Sequence, residues 1–336
     1  MGGDAGPRLT VPSTVAFLRR HPYATVRLFG EQPAVSPFLD PLIDQPPDDL
    51  ADRLVFHACG PSVSADDKPA VALRQRRESS LWQALDTVSR GEAEGCVSAG
   101  NTGALMAMGM TLLGKLPGID RPAICTALPT LSGRAYLLDM GANIECTAEH
   151  LVQFARMATV LVRLVDGKVS PRVALLNIGH EQGKGDTVVR EAGERLQADP
   201  AINYRGFVEG DGIYSGDVDI VVCDGFVGNV ALKSSEGVAR MIGSMLNGAL
   251  KTGYRSRLGA WLAAKSLKAF FSRIDPSRYN GASLLGLNGV VIKSHGGATE
   301  SGFGHALDVA LAGISEQLPA QVAAAMGPAV GSDSKG

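Results

Sequence analysis

The chain has 336 residues, 45% of them hydrophobic, with 41 glycines and a formal net charge of −2. This excludes a disordered polymer, leaves room for a substantial core and gives no general affinity for nucleic acid. Five scattered cysteines (59, 96, 125, 146 and 223) form no Cys-x-x-Cys pair, and read as buried free thiols of a reducing cytosol rather than as disulfides or a zinc site.

The chain opens on MGGDAGP, a loop sequence. In an α/β sheet such a turn follows a strand, so a strand is expected ahead of Met1; either it is lacking or the true start lies upstream. Short strands are expected at 24–30, 95–99, 123–128, 135–141, 172–179, 219–225 and 289–296. Most are apolar, β-branched runs that end in glycine. Helix-length stretches lie at 79–91, 103–115, 147–165, 187–197, 230–250 and 305–325. Continuous apolar strands alternating with helices indicate an α/β protein with a largely parallel, buried sheet. Residues 1–326 read as one unit of two lobes around a cleft, and 327–336 as a frayed tail. No signal peptide or bilayer-spanning apolar run is seen.

Ligands of open parallel sheets sit beyond the carboxyl ends of the strands. Five loops expected at that edge share one composition: 98–104 (SAGNTGA), 139–145 (DMGANIE), 177–186 (NIGHEQGKGD), 223–233 (CDGFVGNVALK) and 293–298 (KSHGGA). Glycine lets backbone N–H groups approach a ligand, and a helix N-terminus favours an anion. Asn and Thr add neutral hydrogen bonds, and Lys184, Lys233 and Lys293 add charge. Together they point to a site for phosphate or another small oxyanion, although any one loop is equally well turn and cap chemistry.

Familiar motifs fail. GHEQGKGD (179–186) has the wrong spacing for a Walker loop and Gly185 where Ser or Thr belongs, and GDGIYSG (210–216) precedes a strand rather than a helix. GCVSAG does not fit a nucleophile elbow around Ser98. Asp217 and Asp219 suit either a metal or solvent. His295 suits either acid–base work or a structural role.

Residues 237–274 carry seven cations and no acid: Arg240, Lys251, Arg255, Arg257, Lys265, Lys268 and Arg273. A helix over 258–274 would gather Ala260, Ala263, Leu267, Phe270, Phe271 and Ile274 on one face, with Lys265, Lys268 and Arg273 away from it. That pattern fits an interfacial helix on anionic lipid, or a helix packed on its own protein or across a dimer. RQRR (74–77) suits an acidic protein partner or a solvated face.

Taken in order, MGGDAGP, CVSAGNTGALM, GIDRPAI, LLDMGANIEC, PRVALLNIGHEQGKG, INYRGFVEG, DIVVCDGFVGNVALK and YNGASLLGLNGVVIKSHG resemble the phosphate acyltransferase (PlsX) family of bacterial phospholipid synthesis. The resemblance runs from Met1 to about residue 320. It implies a three-layer α/β/α fold related to isopropylmalate dehydrogenases and phosphotransacetylases, and a cytoplasmic homodimer peripherally associated with an anionic membrane surface. The implied reaction converts acyl-[acyl carrier protein] and inorganic phosphate to acyl phosphate, without metal or organic cofactor, for a membrane glycerol-3-phosphate acyltransferase. Departures are the strand missing before Met1, Leu81 in place of a usual Met, and His180 at a commonly acidic position.

Such an enzyme needs to hold phosphate against an already activated thioester carbonyl, stabilise the oxyanion and assist the leaving thiolate. The expected catalytic residues are Lys184, Asp224, Asn229 and His295. Gly100, Asn101, Thr102, Asp139, Asn143, Asn177, Lys233 and Lys293 are expected around substrate and phosphate. Arg74, Arg77, Lys265, Lys268, Phe270 and Phe271 are expected to meet the carrier protein or the membrane. The alternatives are a dehydrogenase of the related fold and a non-catalytic membrane-associated scaffold.

Overall fold

A computed structural model describes residues 1–43, 50–181 and 183–327. The first helix, α1 (Pro7–Arg20), starts on a proline whose missing N–H costs nothing in a first turn. Then come β1 (Val26–Gly30), α2 (Gln32–Ile43), α3 (Leu50–Arg53) and β2 (Leu54–Ala58), with β1 and β2 paired in parallel. Next are α4 (Pro69–Gln75), α5 (Ser80–Ser89), β3 (Gly95–Ser98) and α6 (Thr102–Leu112). The middle of the chain forms β4 (Ala123–Thr130), β5 (Gly133–Leu138), α7 (Ala148–Asp166), β6 (Arg172–Leu176), α8 (Thr187–Ala198), β7 (Asn203–Val208) and β8 (Ile220–Val222). The last part forms α9 (Gly225–Lys251), α10 (Tyr254–Leu262), α11 (Ala264–Ile274), β9 (Ala282–Leu285), β10 (Val290–Lys293), α12 (Glu300–Ser315) and α13 (Leu318–Met326).

The large sheet has the order β3-β10-β9-β4-β5-β8-β6-β7. Among the described residues four of its seven strand pairings are parallel; β10–β9, β9–β4 and β4–β5 are antiparallel. Successive side chains of a strand face opposite layers, so Tyr136 and Leu138 of β5 join a core with Phe154 and Leu196, while Leu137 joins Val221 and Val208. One face carries α7, α8, α12 and α13, and the other carries α4–α6 and the first turns of α9, giving the expected α/β/α layers.

The antiparallel pairs matter for function. They make β3, β10 and β4 run opposite to β9, β5, β8, β6 and β7. The five similar loops therefore do not share one edge. Loops 98–104 and 293–298 lie at one edge, and loops 139–145, 177–186 and 223–233 start from the other. Apolar runs on both strands of a pair look alike whichever way the strands run, so the sequence pattern concealed the reversal at β4–β5.

Other elements also differ from expectation. Strands β2, β7 and β9 had no expected counterpart. The 305–325 stretch breaks at Gln317 (φ 50°), with Pro319 opening α13. The 258–274 stretch is two helices meeting at Ala263, not one. Residues 328–336 of the expected tail lie outside the described residues, as do the side chains of Arg255, Arg273 and Ile274.

The unpaired edges of β1 and β3 face each other across a cavity of about 830 Å³, with Met1 and Gly2 among its lining residues.

Candidate active site

Three loops converge where β3 and β10 end. Gly2 and Gly3 take left-handed backbone angles (φ 90° and 74°) and press against them. A Cβ on Gly2 would lie 2.7 Å from Gly100 Cα, and one on Gly3 2.8 Å from Gly296 O, so only glycine fits. The Asp4 N–H donates to Gly296 O at 2.8 Å, and the Ser294 N–H to Ser98 O at 2.8 Å. The Gly100 N–H donates to Ser98 Oγ at 3.1 Å. Helix α6 starts here, with exposed Thr102 and Gly103 in its first turn. First-turn N–H groups lack intrahelical acceptors and attract anions.

Cations reach this point from two elements. Lys293 ends β10, and its Nζ donates to Ser294 O and, at 3.4 Å, to Ala99 O. Burial, followed by the nearby Lys233 ammonium, lowers its pKa to about 8. Lys233 arrives on α9, eight residues after Gly225. At 1.5 Å per residue those residues climb about 12 Å, close to the length of a four-residue strand, and Lys233 comes near enough to Lys293 and His295 for its charge to act on both. Glu236 steadies the exposed Lys233 at 2.9 Å. Asn229 lies one helical turn before Lys233 on the same face.

His295 completes the cluster. Its Nδ1 accepts the Gly297 N–H at 3.0 Å, which leaves the neutral ring with its proton on Nε2. Burial first, then Lys233, pushes its pKa below the ordinary value, with Lys293 adding to the shift and Glu236 and Asp4 opposing it. A neutral Nε2–H donor, two ammoniums and a helix N-terminus form an arrangement suited to a multiply charged oxyanion.

Several expected ligands are committed elsewhere. Asn101 caps α6 by accepting the Ala104 N–H at 3.0 Å, and its Nδ2 meets the carbonyls of Ser64, Ala65 and Asp67 at 2.9–3.1 Å. Asp139 is fully buried and accepts from Ile124 N, Ala142 N, Asn143 N and Asn143 Nδ2 at 2.7–3.3 Å. Asn143 also donates to Pro122 O at 2.8 Å. This pair pins the start of β4 to the end of β5. Asp224 caps α9, accepting the Val227 N–H at 2.9 Å. Asn177 donates to Lys184 O at 3.0 Å, and Lys184 pairs with Glu181 of its own loop at 2.9 Å. That loop stands at the opposite edge from Lys293, so Lys184 is outside the cluster. Asp219 is buried and committed to ion pairs with Lys168 at 2.6 Å and Arg172 at 2.9 Å.

The surface residues fall into two groups. Arg74 and Arg77 are exposed beside α4, and Arg77 stacks over Trp82 at 5.3 Å. Lys265, Lys268 and Phe270 are exposed on α11, with Phe271 half-buried and edge-on to Phe270 at 5.6 Å. Val238, Met241, Met245, Leu258, Trp261 and Leu262 are exposed on α9 and α10, forming a broad apolar surface. No helix among the described residues is long and apolar enough to cross a membrane.

Sequence reasoning missed Asn280, Ser294 and Glu236. A Tyr-Asn-Gly triplet reads as a turn, and nothing local marks Asn280 as a buried clamp.

Known proteins sharpen the picture. The chain is 48% identical over 331 residues to a phosphate acyltransferase of Saccharophagus degradans, covering 98% of this chain and 95% of that one. It is 48% identical over 328 residues to a phosphate acyltransferase of Alcanivorax borkumensis, covering 97% and 96%. A phosphotransacetylase structure from Streptococcus pyogenes superimposes with a TM-score of 0.62 at 17% identity, over 92% of this chain and 91% of that one, which shows a shared fold. The family model for the fatty acid synthesis protein matches residues 1–321, and with relatives this close along almost its whole length the chain belongs to that family.

Proposed function

We propose that the chain transfers a fatty acyl group from the thioester of an acyl carrier protein to inorganic phosphate. The observation that carries this reading is the convergence of Lys233, Lys293 and the neutral His295 at the N-terminus of α6. Phosphate would lie between the two ammoniums and the first N–H groups of α6, with Asn229 and Thr102 as neutral neighbours. One phosphate oxygen attacks the thioester carbonyl, the C–S bond breaks, and the proton of monohydrogen phosphate ends on the carrier thiol. Holding both reactants together can remove about 7–11 kcal/mol of barrier without a covalent enzyme intermediate. The His295 Nε2–H is suited to the carbonyl oxygen or the leaving sulfur. A nicotinamide-dependent oxidoreductase reading is not favoured, since relatives at 48% identity are named acyltransferases.

Partners belong to the same proposal. Arg74 and Arg77 suit the acidic surface of a carrier protein. The apolar face of α9–α11, flanked by Lys265 and Lys268, suits a second copy of the chain and an anionic membrane surface. There the hydrolysis-prone, partly lipophilic product would pass to a membrane glycerol-3-phosphate acyltransferase. The test follows free carrier thiol from a long-chain acyl carrier protein with and without phosphate. Release that requires phosphate supports the reading; release independent of phosphate, or none with any acyl donor, overturns it.

A further inference from the structure

Behind the cluster lies a buried polar network absent from the expected site. Asn280, just ahead of β9, is buried, and its carboxamide reaches three places. Nδ2 donates to Ser294 Oγ and to Gly302 O, both at 2.8 Å. Oδ1 accepts the His295 N–H at 2.8 Å. Ser294 has no exposed surface, and its own N–H donates to Ser98 O at 2.8 Å. Ser98 Oγ in turn accepts the Gly100 N–H at 3.1 Å.

The path Asn280–Ser294–Ser98–Gly100 thus joins four segments: the approach to β9, the end of β10, the end of β3 and the entry to α6. A fifth, the first turn of α12, is tied in through Gly302. Asn280 and Ser294 are buried, so water does not easily replace the bonds between them, while Ser98 and Gly100 at the far end border the cavity; buried polar groups that hold their partners fix one geometry. A carboxamide suits the junction because it donates and accepts at once; a carboxylate has no donor for Gly302 O.

We infer that Asn280, acting through Ser294, is a positioning residue that sets the placement of Lys293 and His295 against the α6 N-terminus. The inference rests on the proposed reaction occurring in this cluster. Asn280 does not touch substrate. It holds the loop on which Lys293 and His295 lie, while Lys233, Glu236 and Asp4 surround that loop from other elements.

The test compares the full chain with Asn280→Asp and Ser294→Ala, measuring phosphate-dependent thiol release across pH and thermal unfolding. Ser294→Ala removes only one hydroxyl and is the variant that keeps its fold. The expected result is a KM for phosphate raised about 10-fold in Asn280→Asp and less in Ser294→Ala, with a displaced pH profile. A purely structural role would lower the folded fraction but leave KM and the profile unchanged, and that result in the soluble variants overturns the inference. Failure of both variants to fold would also overturn it, assigning the network to the fold alone. A wild-type chain with no phosphate-dependent turnover would instead defeat the proposed reaction, which separates the two failures.

Discussion

The Gly297 N–H donates to His295 Nδ1 at 3.0 Å, so the neutral imidazole is a donor at Nε2 and not a base there. If that donor stabilises charge on the carbonyl oxygen or the departing sulfur, its loss should act on turnover more than on phosphate binding. His295→Ala is expected to lower kcat about 100-fold, the usual scale for one oxyanion donor. His295→Gln, whose amide N–H can stand near the position of Nε2, is expected to recover part of it. Equal kcat in wild type and His295→Ala would remove His295 from the chemistry.

Lys293 gives a pH prediction. Its pKa of about 8, lowered first by burial and then by Lys233, means that the ammonium is lost as pH rises through about 8. Phosphate affinity is therefore expected to weaken on the alkaline side of that value. Removing the like charge with Lys233→Met should let Lys293 keep its proton to higher pH and move the alkaline limb upward, while raising KM for phosphate about 10–100-fold. An unmoved limb would show that the two lysines do not share a site.

Some of the site was legible in the chain and some was not. Lys233, Lys293 and His295 could be picked out because each stands in a segment that follows an apolar strand, although Lys184, marked in the same way, stands apart from them. Asn101 and Asp224 carried the right residue types, but their helix-capping role looks identical to ligand chemistry in sequence. Asp139 looked like a loop acid; its burial depends on β4 and β5 forming an antiparallel pair, a long-range fact. The same reversal hid why Lys184 stands apart from Lys293. Asn280 was invisible because its partners are 14 and 22 residues away and belong to other elements.

Asp219 gives a stability prediction remote from the chemistry, four strands from β10. Burial raises its pKa, but hydrogen bonds from Arg172 and Lys168 outweigh this and hold the carboxyl well below its ordinary range. A carboxylate depressed in the fold contributes stability above its unfolded pKa near 4 and loses it as pH falls toward the folded value. Asp219→Asn should cost about 2–3 kcal/mol at neutral pH, since both cations are partly solvated, and lower Tm by several degrees. The gap from wild type should narrow as pH falls below about 4, with KM for phosphate unchanged. A constant gap down to pH 2 would assign the effect to packing.

The apolar surface of α9–α11 can be divided between its two proposed occupants. Trp261 and Leu262, 73% and 72% exposed, would insert into a bilayer interface or pack on a second copy. The exposed Lys265 and Lys268 help only where the partner is anionic. Lys265→Glu with Lys268→Glu is therefore expected to abolish flotation with vesicles rich in anionic phospholipid at low salt, while sedimentation still shows a dimer. Trp261→Asp is expected to impair vesicle binding even where the lysines are intact. If the lysine pair leaves flotation untouched but dissociates the dimer, the surface belongs to the second copy and the membrane reading falls. Each attraction of this kind is worth about 1 kcal/mol per cation near an anionic surface and is screened by salt, so raising ionic strength should reproduce the effect of the lysine substitutions.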